Sequence, residues 1–171
     1  MFFVNARAFV VRTHAGNETE IVIQKRAKSD SDHKMELPGG RLELYESLTQ
    51  ALIREVKEET GLDVYEIEGS ETRVDTVGID PAFEVEVIRP FAAYQTTKGS
   101  IDSVGVYFRC KAEGELLAEG DETRAIRWIA VRELAAMFRD DPLQFSSVDR
   151  AGIKFYLREL GLLDLRGEGR R

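Results

Sequence analysis

The stretch from Ser47 to Gly61 constrains this chain more than any other. Ser47 with Gln50 three residues on makes a capping box, and Gly61 is a natural stop, so a helix is expected over residues 48–60. On a wheel at about 100° per residue, Leu48, Leu52, Ile53 and Val56 form an apolar arc that should face a core. Glu55 and Glu59 fall at the edge of that arc, with Glu58 beside them and Arg54 beyond. Gln50 and Lys57 take the solvent side.

As a purely structural face this arrangement is costly. Glu55 repels Glu59 at i,i+4 and Glu58 at i,i+3, by about 0.2–0.5 kcal/mol each. Glu58 and Glu59 also occupy the last turn, where the helix dipole favours cations by ~0.3–1 kcal/mol. Carboxylates at an apolar edge suffer desolvation as well. A bound divalent cation relieves all three penalties together. Oxygen donors with no Cys or His nearby suit Mg²⁺ or Mn²⁺. Taken alone, a glutamate-rich helix is more often a solvated acidic face with ordinary Arg54–Glu58 and Arg54–Glu55 pairing, so the helix does not decide the matter by itself.

At 171 residues the chain has room for one domain with a proper core. We expect that domain over residues 1–165, followed by a frayed tail over 166–171. A formal charge of −7 argues against general binding to polymeric nucleic acid, which needs a basic face. The single cysteine, Cys110, excludes an internal disulfide and sits in a strand-like run, where a buried inert thiol is expected. His14 and His33 lack zinc-ligand spacing and read as surface residues. With no leader pattern and no apolar stretch near the length of a membrane span, the expectation is a cytoplasmic protein that meets no membrane.

Residues 2–12 and 20–26 are rich in β-branched and aromatic side chains around a polar turn at His14–Asn17, which predicts a hairpin. A polar loop over 28–34 then leads into Leu37-Pro38-Gly39-Gly40, a run that marks a tight turn. Beyond the helix, strands are expected over 62–68, 72–79, 83–95, 101–113 and 123–130. Helices are expected near 131–139 and over 148–160, the latter capped by Ser146 or Ser147. Strands, a helix, many strands and then helices predict a mixed sheet packed between helices.

Read as a whole, residues 40–62 are GRLELYESLTQALIREVKEETGL. They fit the pattern G-x5-E-x7-R-E-U-x-E-E-x-G-U, with U a bulky apolar residue, at every specified position. Gly40, Glu46, Arg54, Glu55, Val56, Glu58, Glu59, Gly61 and Leu62 fill it. A chance match in a chain of average composition is on the order of 10⁻⁷. The segment resembles the Nudix box, and the chain is accordingly identified as similar to Nudix hydrolases over residues 35–62. Met35 stands where many members carry tryptophan.

The resemblance implies an α/β fold, a Nudix-like α/β/α sandwich with a mixed β-sheet. It implies a metal-dependent hydrolase that splits a diphosphate linkage in a nucleoside diphosphate derivative, such as a nucleoside triphosphate or a nucleotide sugar like ADP-ribose. Glu55, Glu58 and Glu59 would be metal ligands or the base that activates water, and the carbonyl of Gly40 would help to hold Mg²⁺. Arg54 would orient a glutamate, and Glu46 would support it. A further acidic ligand is expected from a later loop, with Glu122 first and Glu119 and Asp121 as alternatives. Arg26, ending the second strand, would reach a substrate phosphate; its bland counterpart is a surface arginine. Phe83, Phe91 and Tyr94 are aromatic candidates for a base, with core packing the stronger expectation for each. Pro81 lies further beyond the box than the proline of ADP-ribose enzymes. A homodimer is suggested by resemblance only. The rival reading from another class is a Nudix-fold sensor that binds a nucleotide without turnover; such modules usually lose box glutamates, and all are present here.

Overall fold

The computed structural model describes residues 1–27 and 33–163, so the tail at 166–171 and most of the loop after Arg26 lie outside the described residues. The predicted hairpin is present as β1 (Phe2–His14) and β2 (Glu18–Arg26). Two short strands follow, β3 (Met35–Glu36) and β4 (Gly39–Arg41), and then helix α1 (Leu48–Thr60). The rest of the sheet comes from β5 (Asp63–Ile67), β8 (Ala92–Gln95), β9 (Asp102–Glu113), β10 (Glu119–Gly120) and β11 (Thr123–Ala130). A separate two-stranded ribbon joins β6 (Val74–Asp75) to β7 (Glu86–Val87). Helices α2 (Val131–Asp140) and α3 (Ser147–Glu159) close the described chain.

The sheet runs β10-β11-β2-β1-β9-β5, with β3 added to β2, β4 to β1 and β8 to β9. It is mixed because β1 and β9 run parallel from Phe2–Asp102 to Val10–Cys110 while the other pairs are antiparallel. Alternation along β1 sends successive side chains to opposite faces. Ala6, Ala8 and Val10 meet Leu52, Val56 and Phe108 under α1. Phe9 points the other way, into a cluster with Tyr107, Leu134, Phe145 and Tyr156 under α2 and α3. The result is the expected α/β/α sandwich, with one core on each face of the sheet. Among the described residues, no helix is long and apolar enough to cross a membrane.

Three local readings change. Ile53 is 43% exposed, and the buried face of α1 is Ala51, Leu52, Val56 and Thr60. The arc is therefore rotated toward the glutamates, and Thr60 enters it by returning its hydroxyl to the Val56 carbonyl at 2.6 Å. The expected strands over 72–79 and 83–95 shrink to three short pieces. Val74, Val77, Ile79 and Phe83 are all more than 60% exposed, so their β-prone chemistry has no sheet face to pack on. Phe83 thus joins neither core nor site, whereas Phe91 stacks edge-on with Phe9 and Phe155, and Tyr94 packs on Tyr107. Cys110 is buried, its thiol pushed up to about 12 by desolvation, and His14 and His33 are exposed, as expected.

Candidate active site

The site forms where the sheet splits. β1 and β2 pair only from Val11–Ile21 to His14–Glu18. Beyond that they diverge, and residues 35–41 fill the fork. Met35 and Glu36 pair with Lys25 and Gln24 on one side, and Gly39, Gly40 and Arg41 pair with Arg7, Ala6 and Asn5 on the other. Pro38 sits between the two short strands, where no ladder N–H is demanded of it. At Gly39 the backbone has φ +135°, and a Cβ would run into the Ala6 carbonyl, so only glycine fits.

Helix α1 drops its last turns over this fork. The Glu59 carboxylate accepts from the Gly39 N–H and from Gln24 Nε2, both at 2.8 Å. Burial pushes its pKa up to about 8, against the pull of Arg7 and these two bonds. The Glu55 carboxylate lies against Gly40, where a Cβ would stand 2.5 Å from its Oε1. Burial raises Glu55 as well, partly opposed by Arg54. Glu58 is exposed on the same edge. Ala8 N–H donates to the Pro38 carbonyl and Leu42 N–H to the Val4 carbonyl, so antiparallel alternation commits the Gly40 carbonyl to Ala6.

Arg54 organises the carboxylates from outside. Its Nε and one terminal nitrogen grip Glu46 in a fork at 2.8 and 2.9 Å, and the other terminal nitrogen donates to Glu55 at 2.8 Å and Glu58 at 3.4 Å. A further bond to the Arg41 carbonyl ties it to β4. The hydrogen bond from Arg54 holds Glu46 below the usual carboxylate range. The bland pairing foreseen for this helix is thus present, and it preorganises the row instead of dispersing it.

The helix end brings in the second acidic element. The last four carbonyls of a helix lack internal partners, and here each is met. Gly61 N–H bonds Lys57, Asp121 N–H bonds Glu58, Thr123 Oγ1 bonds Glu59 and Leu117 N–H bonds Thr60. The β10–β11 turn is therefore docked on α1, which sets Asp121 and Glu122 beside Glu58 and Glu59. Of the three later acids considered, Glu122 and Asp121 line the cavity with the box glutamates, and Glu119 does not. A Cβ at Gly120 would collide with the Glu59 carbonyl. We expect Gly120→Ala to undock this turn, lowering the melting temperature by about 2–12 °C, on the order of 1–3 kcal/mol of overpacking. An unchanged thermal melt would show that the docking is slack.

The cavity holds about 900 Å³, in the range of sites for small organic ligands. Arg26, Lys34, Arg41 and Lys98 line it together with the carboxylates, so both signs of charge border the cavity. Four buried polar residues here went unnoticed in the sequence. Gln24, Glu36, Arg7 and Asp149 are all under 9% exposed. A signal existed for two: Arg7 interrupts an apolar alternating run at an inward position, and Asp149 lies three residues after the helix-capping Ser146. Glu36 is raised mainly by burial, with Arg7 opposing.

Among the described residues, no three Asp, Glu, His or Cys side chains already stand at ion-binding spacing. The donor set nevertheless suits a hard divalent cation. Every side-chain donor is oxygen, Glu59 is desolvated, and Gln24 Oε1 beside it is buried with no hydrogen-bond partner.

A family model, the NUDIX domain, matches residues 2–150. This chain belongs to the NUDIX family. A candidate nudix hydrolase 1 of Caenorhabditis elegans is 39% identical over 62 residues, which span 35% of this chain and 17% of that relative. Among solved structures of the Nudix fold, a candidate asymmetric diadenosine tetraphosphate hydrolase from Jonesia denitrificans has TM-score 0.67 at 17% identity, covering 96% of this chain and 99% of the other. The NUDIX domain of Shewanella oneidensis NrtR, complexed with ADP ribose, has TM-score 0.59 at 16% identity, covering 94% and 89%. MutT NUDIX hydrolase from Burkholderia pseudomallei has TM-score 0.56 at 21% identity, covering 90% and 97%. In this Nudix chain Met35 is buried in the core under α2 and α3, and its carbonyl accepts from Ser146 N–H at 2.8 Å. The departure from tryptophan at that position is thus absorbed by packing.

Proposed function

We propose that this Nudix protein is a metal-dependent hydrolase that splits a phosphoanhydride linkage in a nucleoside diphosphate derivative, such as a nucleoside triphosphate or a nucleotide sugar like ADP-ribose. The observation that carries the reading is Glu59, a partly buried and desolvated carboxylate fixed by Gly39 and Gln24 in a cavity that also holds Glu55, Glu58 and Glu122. A carboxylate kept there without a cation is costly, and the pKa of about 8 expresses that cost.

Glu55, Glu58 and Glu59 would hold Mg²⁺ or Mn²⁺, with Glu122 approaching from the docked turn. The Gly40 carbonyl, which faces Ala6 in the ladder, keeps a second lone pair that would help to hold the ion. When bound, the ion supplies neutralisation of phosphate oxygens and a lowered pKa for water. The residues of the chain do the rest. Arg54 keeps Glu55 and Glu58 aimed at the cavity. Arg26, which lines the same cavity, would meet a phosphate oxygen by charge. A box glutamate takes the proton as the water oxygen bonds to phosphorus and the bridging oxygen leaves with the electron pair of the broken anhydride bond. No Ser, Cys or His nucleophile is needed.

The test is a screen for phosphate or pyrophosphate release over nucleoside triphosphates, nucleotide sugars and dinucleoside polyphosphates, with Mg²⁺ and Mn²⁺. Metal-dependent release from at least one class is expected. Tight binding across the panel without any release would point instead to a nucleotide sensor. Within the same assay, Arg54→Ala should lower kcat/KM by roughly 10–100-fold, as expected for a group that orients ligands. Loss of stability with unchanged turnover would reduce Arg54 to an ordinary surface pair.

A further inference from the structure

A buried ion pair lies outside the Nudix box. Arg7 is buried under the fork of the sheet, on the face covered by α3. Its Nε donates to Asp149 Oδ1 at 2.9 Å and one terminal nitrogen to Asp149 Oδ2 at 2.5 Å. The same terminal nitrogen donates to the Leu37 carbonyl at 2.8 Å, and the other donates to the Gly39 carbonyl. Four of the five guanidinium hydrogens are thereby used, two on α3 and two on the Leu37–Gly39 turn.

We propose that Arg7 and Asp149 are positioning residues for the hydrolytic site, a clamp that fixes the Leu37–Gly39 turn so that the Gly39 amide can hold the Glu59 carboxylate. The proposal rests on the hydrolase reading only for its effect on turnover.

Three observations support a positioning role over a merely cohesive one. Stability alone does not require such a pair, since apolar residues of similar volume often serve as well in a core. The carbonyl partners chosen are those the fold leaves open: Leu37 lies between β3 and β4, and the Gly39 carbonyl is turned away from the β1 ladder. Asp149 is itself held in place. Ser146 Oγ donates to Asp149 Oδ2 at 2.6 Å, Ser146 N–H donates to the Met35 carbonyl, and the Tyr107 hydroxyl donates to the Val148 carbonyl. Helix α3 is therefore tied to both ends of the segment that receives Glu59. A planar fork is required, because one point charge cannot reach a carboxylate and two carbonyls in these directions at once.

The test uses Asp149→Asn and the gentler Ser146→Ala, both kept below their melting temperatures. On metal-free protein, amide hydrogen exchange at Gly39 is followed by NMR, and Mn²⁺ affinity is measured by calorimetry. Asp149→Asn is expected to speed Gly39 exchange at least tenfold relative to β9 amides and to weaken Mn²⁺ binding by roughly 10–100-fold. On a hydrolysed substrate, kcat should fall while KM changes little. Ser146→Ala should move all readouts the same way by a smaller factor, and it decides the question if Asp149→Asn fails to fold. Folded variants with native Gly39 exchange and native Mn²⁺ affinity would overturn the clamp. Faster Gly39 exchange with weakened Mn²⁺ binding, in a protein whose wild type hydrolyses nothing, would leave the clamp standing and remove the hydrolase reading.

Discussion

Glu59→Gln is expected to cost ~10²–10³ in turnover while leaving the metal-free fold intact or slightly stabilised. The geometry makes the two halves of this expectation separable. Both hydrogen bonds to Glu59 are received by a single oxygen, Oε2, from Gly39 and Gln24. A glutamine carbonyl can accept both, so the neutral side chain keeps the local contacts. It also removes a desolvated charge and one source of repulsion on the α1 edge. A ligand oxygen and its charge are lost to the metal at the same time. The variant is checked by kcat/KM beside melting of the metal-free protein. A large loss of fold would mean that Glu59 is structural, and near-wild-type turnover would mean that the glutamate row has been misread.

The metal-free protein should lose stability as pH rises from about 5 to 8, against the habit of acid-labile proteins. The Glu59 pKa is raised from 4.5 to about 8 by burial, so the folded state binds a proton more tightly than the unfolded chain does. Such a group contributes its full stability below about 4.5 and loses it as pH climbs through the folded value. Glu36 and Glu55, also raised by burial, act in the same direction. Glu46, lowered by its bond from Arg54, acts oppositely and only at acid pH. At about 1.4 kcal/mol per pKa unit, the decline is on the order of 2–4 kcal/mol. Millimolar Mg²⁺ should reverse it at pH 7–8 by binding the folded state alone. Urea unfolding at several pH values checks this, with Glu59→Gln expected to flatten the profile. Stability that climbs steadily to pH 8 without metal would contradict the assigned burial of Glu59.

What was legible in the sequence was local. Helix α1 begins and ends as its capping box and Gly61 require, because those signals act within a few residues. The Nudix box was readable for the same reason, since its glutamates share one helix edge. Glu122 lines the cavity, and the cause is not visible in the sequence: the β10–β11 turn docks on the helix because the Glu58 and Glu59 carbonyls need partners. Arg7 and Asp149, separated by 142 positions, meet only after the sheet has split and α3 has folded back. No period or spacing records such a contact. The strands expected over 72–79 and 83–95 failed for a related reason. Their side chains favour a pleated surface, but most of them find no neighbour to pack against.

If the carboxylates of α1 act through a divalent ion, exhaustive chelation and dialysis should silence the protein toward the substrate found by the screen. Turnover is expected at background without metal and restored in step with ion occupancy as Mg²⁺ or Mn²⁺ is returned, a restoration that Glu59→Gln should largely abolish. Full turnover in the chelated protein would contradict action through an ion.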